Sequence, residues 1–146
     1  MDIYFLKFQE CSLTQLSDAY ALRQRVFVIE QQCFYEDIDG YDPKAHHLFL
    51  YDGDVLCAYL RYFEPGIKYK EGSLGRIIVE KEYRGKEVGS VLIKTGIDKA
   101  RELTPGTSIR IEAQAPLTEY YSQYGFIPVS DVYKVDGIDH LQMLLE

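Results

Sequence analysis

A backbone anion site is the first chemistry this chain offers. In Leu74–Ser90, LGRIIVEKEYRGKEVGS, an apolar strand ends at Val79 and a short charged turn follows. Arg84, Gly85 and Gly89 then lead into the helical pattern VLIKTGIDKARE. The start of a helix carries N–H groups with no intrahelical partner and a partial positive charge of about +0.5 from the macrodipole. Glycine lets the backbone come close to a ligand there. A diphosphate is the natural occupant of such a turn. Neither G-x-x-x-x-G-K-S/T nor G-x-G-x-x-G occurs, so a P-loop and a dinucleotide-binding fold are both unsupported.

A second constellation lies at Ala115–Phe126, APLTEYYSQYGF. Pro116 suits a helix start, because the N–H it lacks has no partner in the first turn anyway. Tyr120, Tyr121 and Tyr124 follow, Gly125 ends the helix, and Phe126–Val129 reads as a strand. With 13 tyrosines in the chain, most of them must be structural.

Together these motifs resemble the GNAT superfamily of N-acetyltransferases. Arg84 and Gly89 match the loop R/Q-x-x-G-x-G/A, with Glu87 where Gly is usual. Tyr120–Phe126 matches the segment F/Y-Y-x-x-x-G-F. The likeness extends to the ElaA-type branch through Arg25–Gln32, Tyr35–Gly40, Gly75–Val79, Ala113–Ala115, Gly125–Val129 and Asp136–His140. That branch tolerates a charged residue at the position of Glu87.

The resemblance implies an α/β fold: a mixed, mostly antiparallel central sheet flanked by helices, with a splayed strand pair for the cofactor. It implies acetyl-CoA as co-substrate and transfer of its acetyl group to a primary amine, of a small molecule or a protein. The backbone of Ile77, Ile78 and Val79 would pair with the pantetheine amides. The turn Arg84, Gly85, Lys86, Glu87, Val88, Gly89 and Ser90 would hold the diphosphate. Tyr121, four residues before the Gly-Phe pair, would protonate the departing thiolate. A phenol of ordinary pKa about 10 is protonated at neutral pH and can do so. Candidates for the base are Glu30, Glu112, His46, His47 and a water, with Glu30 preferred because it closes the first helix beside the acidic run Glu36, Asp37, Asp39 and Asp42. That run, through Asp37 and Asp39, would favour a cationic acceptor. Arg76 and Gln114 flank the expected cleft and either touch substrate or fix loop geometry. A non-catalytic acyl-CoA-binding or sensor module is the alternative from another class, and the acyl-chain length stays open. The resemblance does not supply the acceptor, and it leaves a homodimer open.

Composition sets limits. A chain of 146 residues suffices for one domain with a real core, which the resemblance implies is a single acetyltransferase domain over residues 1–146. A net charge of −7 argues against nucleic acid as a partner, since phosphates need a basic face. Long apolar runs and a leader pattern are both lacking, so no membrane partner and a cytoplasmic location are expected. Cys11, Cys33 and Cys57 contain no C-x-x-C pair, and His46 and His47 lack ligand spacing, so no metal is expected.

The elements that must position these residues follow from periodicity. Ile3–Phe8 alternates as a strand. Ser12 caps a helix running through Leu13, Leu16, Tyr20, Arg23 and Phe27 to Glu30. His47–Tyr51 and Asp54–Tyr62 read as a hairpin turning at Asp52-Gly53. Ser73–Val79 is a strand, a helix runs to about Leu103, and Thr107–Gln114 is the next strand. After the tyrosine helix, strands Phe126–Val132 and Ile138–Leu145 flank a tight turn at Asp136-Gly137.

Overall fold

A computed structural model describes residues 1–146. Eight strands form one sheet: β1 (Asp2–Lys7), β2 (His46–Asp52), β3 (Val55–Phe63), β4 (Gly72–Val79), β5 (Ile109–Gln114), β6 (Ile127–Pro128), β7 (Tyr133–Val135) and β8 (Ile138–Leu145). The spatial order is β1-β2-β3-β4-β5-β8-β6, with β7 on β8 as well. Every pairing is antiparallel except β4 with β5. The helices are α1 (Leu13–Arg23), α2 (Val88–Leu103) and α3 (Thr118–Ser122).

The two sheet faces are covered by different helices. On one, α2 buries Leu92, Ile93, Ile97 and Ala100 against Leu48, Leu50, Leu60, Leu74, Ile109, Ile111 and Met143. On the other, α1 sets Ala19, Leu22 and the following Val26 against Phe49, Tyr51, Leu56, Tyr59 and Ile78. Each fully buried Leu or Ile contributes about 1.5–3 kcal/mol relative to exposure, so these layers fix the sheet that carries the cleft.

Local sequence explains most element ends. Ser12 accepts from the Gln15 N–H at 3.0 Å, and Gln15 answers from its side chain at 2.8 Å, a reciprocal cap that starts α1. The first helix does not stay α-helical to Glu30: from Gln24 to Glu30 it widens into a π-helix, closed by the Gln31 N–H on the Val26 carbonyl. The β2–β3 turn falls at Gly53-Asp54, one residue later than the pattern implied. The expected strand Phe126–Val132 shrinks to Ile127–Pro128. Pro128 has no N–H for a ladder, and the Ser130 hydroxyl accepts from the Gln142 N–H where a strand carbonyl would. The hairpin partner of β8 is instead β7, turning at Asp136-Gly137 as expected.

Candidate active site

The cleft originates in one parallel pairing that fails to propagate. Strands β4 and β5 pair only at Gly72↔Ile109 and Ser73↔Arg110 and then diverge. From Leu74 to Val79 the β5-facing edge of β4 has no strand partner. A bulge bends β4 at the same place. Tyr59 opposes Ile78 and Arg61 opposes Gly75, so Arg76 and Ile77 together face Leu60. Arg76 takes up the bend with φ +50°, a left-handed conformation that costs a non-glycine residue roughly 1–2 kcal/mol. The resulting cleft of about 550 Å³ is lined by Ile77, Ile78 and Val79 from β4, Ile111, Glu112, Ala113 and Gln114 from β5, and Tyr120 and Tyr121 from α3. That volume is ordinary for a small-ligand site.

One end of the cleft is the turn into α2. Gly85 at φ +77° and Glu87 at φ +65°, ψ 5° wind the chain through two left-handed residues into the helix. The first ladder bond is Val91 N–H to the Glu87 carbonyl at 3.1 Å, which leaves the Val88, Gly89 and Ser90 N–H groups without intrahelical acceptors. A Cβ on Gly89 would stand 2.7 Å from the Tyr120 hydroxyl, so a larger residue there would displace the Tyr120 side chain from the helix start. Arg84 donates to the Val79 carbonyl at 3.0 Å and forks onto Glu30 at 2.6 and 3.2 Å, tying the turn to β4 and to the end of the π-helix.

Glu30 is therefore beside the turn into α2 and joined to Arg84, with no hydrogen bond or ion pair to the acidic run it was expected to accompany. The hydrogen bond from Arg84 lowers its carboxyl, which makes it a weaker base than a free glutamate.

Tyr121 is buried and lines the cleft, packed edge-on against Tyr120 and Phe126. Burial, with Tyr124 beside it, pushes its phenol up to about 12, so it holds its proton at neutral pH.

The other end of the cleft overturns the expectation for the acidic run. Asp37, Asp39 and Asp42 do not present free carboxylates to a cationic acceptor. Arg23, wholly buried, contacts Asp37 at 2.9 Å and Asp42 at 2.8 Å. Arg61 contacts Asp39 at 2.7 Å and Asp42 at 3.0 Å. Arg76 lies 2.8 Å from Asp37 through Nε, too poorly aligned for a hydrogen bond there, and donates to the Asp37 carbonyl at 3.0 Å. Three guanidiniums thus match three carboxylates. Burial would raise the Asp39 carboxyl, but Arg61, the Tyr41 N–H and Arg76 outweigh it and hold it well below the usual carboxylate range. Arg61, Lys68 and Arg76 line the cleft, whereas Asp37 and Asp39 do not.

Both histidines of the HH pair are excluded from the cleft. His46 stacks on Phe5 and contacts Glu64 at 2.8 Å, and His47 is held at both nitrogens, by the Tyr59 hydroxyl at 2.6 Å and the Asp42 carbonyl at 2.9 Å. Cys33 is buried with its thiol on the Asp136 carbonyl at 3.4 Å; burial raises its pKa, the reverse of what a reactive thiol needs. Gln114 lines the cleft and donates to Gln31 at 3.2 Å, so it fixes the end of the first helix. The sequence reading missed His140, which lines the cleft from β8. Its membership in the Asp136–His140 stretch was the available signal. No group of three His, Cys, Asp or Glu side chains is placed to hold a metal ion, and no helix is long and apolar enough to cross a membrane.

A split β4–β5 pair that runs from a glycine-bearing helix start to a buried tyrosine is the architecture of an acyltransferase of the GNAT type. The chain belongs to that family: the acetyltransferase (GNAT) domain model matches residues 12–146. Among its relatives, Escherichia coli ElaA is 37% identical over 97% of this chain and 94% of that protein. The crystal structure of E. coli ElaA superposes with a TM-score of 0.93 over the whole of both chains, at 36% identity. That of an acyl-CoA N-acyltransferase from Pseudomonas aeruginosa does so with a TM-score of 0.96, covering 99% of each chain at 33% identity.

Proposed function

We propose that the chain is an N-acetyltransferase that moves the acetyl group of acetyl-CoA to a primary amine. The observation that carries this reading is the continuous cleft from the α2 N-terminus to Tyr121 along an unpaired edge of β4. Pantetheine supplies amide donors and acceptors of the kind an unpaired strand edge takes, as in strand addition. The diphosphate would rest on the Val88, Gly89 and Ser90 N–H groups, where the helix dipole favours anions. Gly85, Lys86 and Glu87 shape that turn, and Arg84 fixes it to β4.

When acetyl-CoA is bound, the thioester supplies the electrophile. A neutral amine attacks its carbonyl carbon, the C–N bond forms and the C–S bond breaks. Tyr121 donates its proton to the departing sulfur and recovers one from solvent. The conjugate acid of a thiolate has a pKa of about 8.5, so transfer from a phenol at about 12 is uphill by roughly 3–4 pK units even at full sulfur charge, and it is drawn forward by reprotonation of the phenolate from solvent. Arg76 and Gln114 hold the cleft walls, and the acceptor enters between β4, β5 and β8.

The test is a panel of amines incubated with protein and acetyl-CoA, with free thiol followed over time and binding measured by calorimetry. Amine-dependent thiol release is the expected result. Binding of acetyl-CoA without turnover of any amine favours a non-catalytic acyl-CoA-binding module, and no binding refutes both.

A further inference from the structure

We infer that His140 is the general base that takes the proton from the acceptor amine; this rests on the acetyltransferase reading above. His140 lies on β8, opposite Gln114 of β5 and Tyr133 of β7, and lines the cleft. Its Nδ1 is 2.7 Å from the Ile138 carbonyl oxygen. A carbonyl only accepts, so Nδ1 carries the hydrogen and the neutral ring keeps its lone pair on Nε2. Nothing in the protein hydrogen-bonds Nε2. The backbone therefore sets the tautomer, and the open nitrogen is a proton acceptor at the cleft.

The alternatives are each otherwise engaged. Glu30 is forked onto Arg84, His46 and His47 are outside the cleft, and Asp37 and Asp39 belong to the arginine network. Glu112 lines the cleft, but the Tyr133 hydroxyl donates to it at 2.7 Å. The titratable groups around His140 are few. Glu112 and Tyr133 share its face of the sheet from β5 and β7, and Asp136 and Cys33 lie at the adjoining turn. Lys134 and Asp139 pair with each other at 2.9 Å on the opposite face. Ala115–Leu117, which also packs on β8, brings no titratable group.

The step balances without a further reactant. As the amine nitrogen bonds to the acetyl carbon, its proton passes to His140 Nε2, while Tyr121 protonates the sulfur that leaves. The imidazolium then releases its proton to solvent.

His140→Asn tests this cleanly, because the Asn amide can keep the donor to the Ile138 carbonyl while the Nε2 lone pair is lost. The acceptor is an aromatic amine or hydrazide from those the wild-type protein turns over, whose own ionisation lies below the pH range scanned. In the wild type, kcat/KM falls on the acid side, where a general base becomes protonated and can no longer accept. In His140→Asn, kcat/KM at neutral pH falls ~10²–10⁴-fold, that acid limb disappears, and acetyl-CoA affinity by calorimetry is unchanged. Added imidazole restores part of the rate to His140→Ala. A His140→Asn protein that keeps both the wild-type rate and the acid limb overturns the assignment, as does an acid limb abolished by Glu112→Gln instead. Both results leave wild-type turnover intact and so spare the acetyltransferase reading, whereas a wild type inert toward every amine overturns both.

Discussion

At the scale of single residues, the cleft assigns different work to tyrosines that the sequence presents as a cluster. Tyr120 closes over Gly89, Tyr124 packs on Tyr120, and Tyr121 reaches the cleft. Tyr121→Phe keeps the ring and removes only the proton. It is expected to lower kcat ~10²-fold or more with little change in acetyl-CoA affinity, because the proton matters during thiolate departure and not in the ground state. Steady-state kinetics beside calorimetry check this; equal losses in affinity and kcat would give Tyr121 a packing role. The place of Tyr121 in the cleft was legible because one motif fixes its spacing from Gly125-Phe126. The surroundings of Glu30 and His140 were not, because they depend on partners far along the chain. Glu30 meets Arg84, 54 residues on, and His140 reaches the cleft only because β8 inserts beside β5. A carboxylate in a sequence looks the same whether free or forked onto an arginine.

At the scale of elements, the strand-to-helix turn joins local conformation to ligand geometry. Periodicity sufficed for α2 and for β2 to β5, since each is a strong apolar pattern ended by glycine, proline or charge. It failed where hydrogen bonding overrode the pattern, at the π-helix of Gln24–Glu30 and at Pro128. It also gave no sign that β4 bulges at Arg76, a residue with no intrinsic taste for φ +50°. The bulge is held by the guanidinium's contacts with Asp37 and Asp39. The same left-handed demand falls on Glu87, and it explains why this family usually has glycine there. Glu87→Gly relieves roughly 1–2 kcal/mol of left-handed strain. Glycine's added chain entropy offsets about 0.5–1 kcal/mol of that. The variant is expected to melt roughly 1–4 °C higher than wild type in thermal unfolding. Gly85→Ala, at φ +77°, places strain where none exists and lowers the midpoint. A lower midpoint for Glu87→Gly would mean that the carboxylate makes a stabilising interaction with the helix start that exceeds its backbone strain.

At the scale of the whole molecule, the network of Arg23, Arg61 and Arg76 with Asp37, Asp39 and Asp42 joins α1, the loop before β2, and strands β3 and β4. From sequence it looks like an acidic run that favours a cationic acceptor, because its carboxylates lie close together in the chain while its arginines are scattered over 54 residues. With Arg61 and Arg76 lining the cleft and held by carboxylates that do not line it, the network supports the β4 bulge. Asp42 is 1% exposed and touches both Arg23 and Arg61, so Asp42→Asn leaves two buried guanidiniums short of charge and is expected to cost about 3–5 kcal/mol. Asp39 gives the network a pH signature. Its folded carboxyl lies below the unfolded value, so between the two the unfolded chain binds more protons and stability rises with pH. The contribution is complete above the unfolded value of about 3.9 and is lost as pH falls through the folded one. Asp39→Asn should therefore unfold at lower urea than wild type at pH 7. Its stability should also fall less steeply than the wild type's as the pH is taken below about 4. Urea titrations of both proteins across that range measure the difference in slope. Parallel curves would show that Arg61 and Arg76 gain nothing from the charge on Asp39, and that the bulge is held by packing alone.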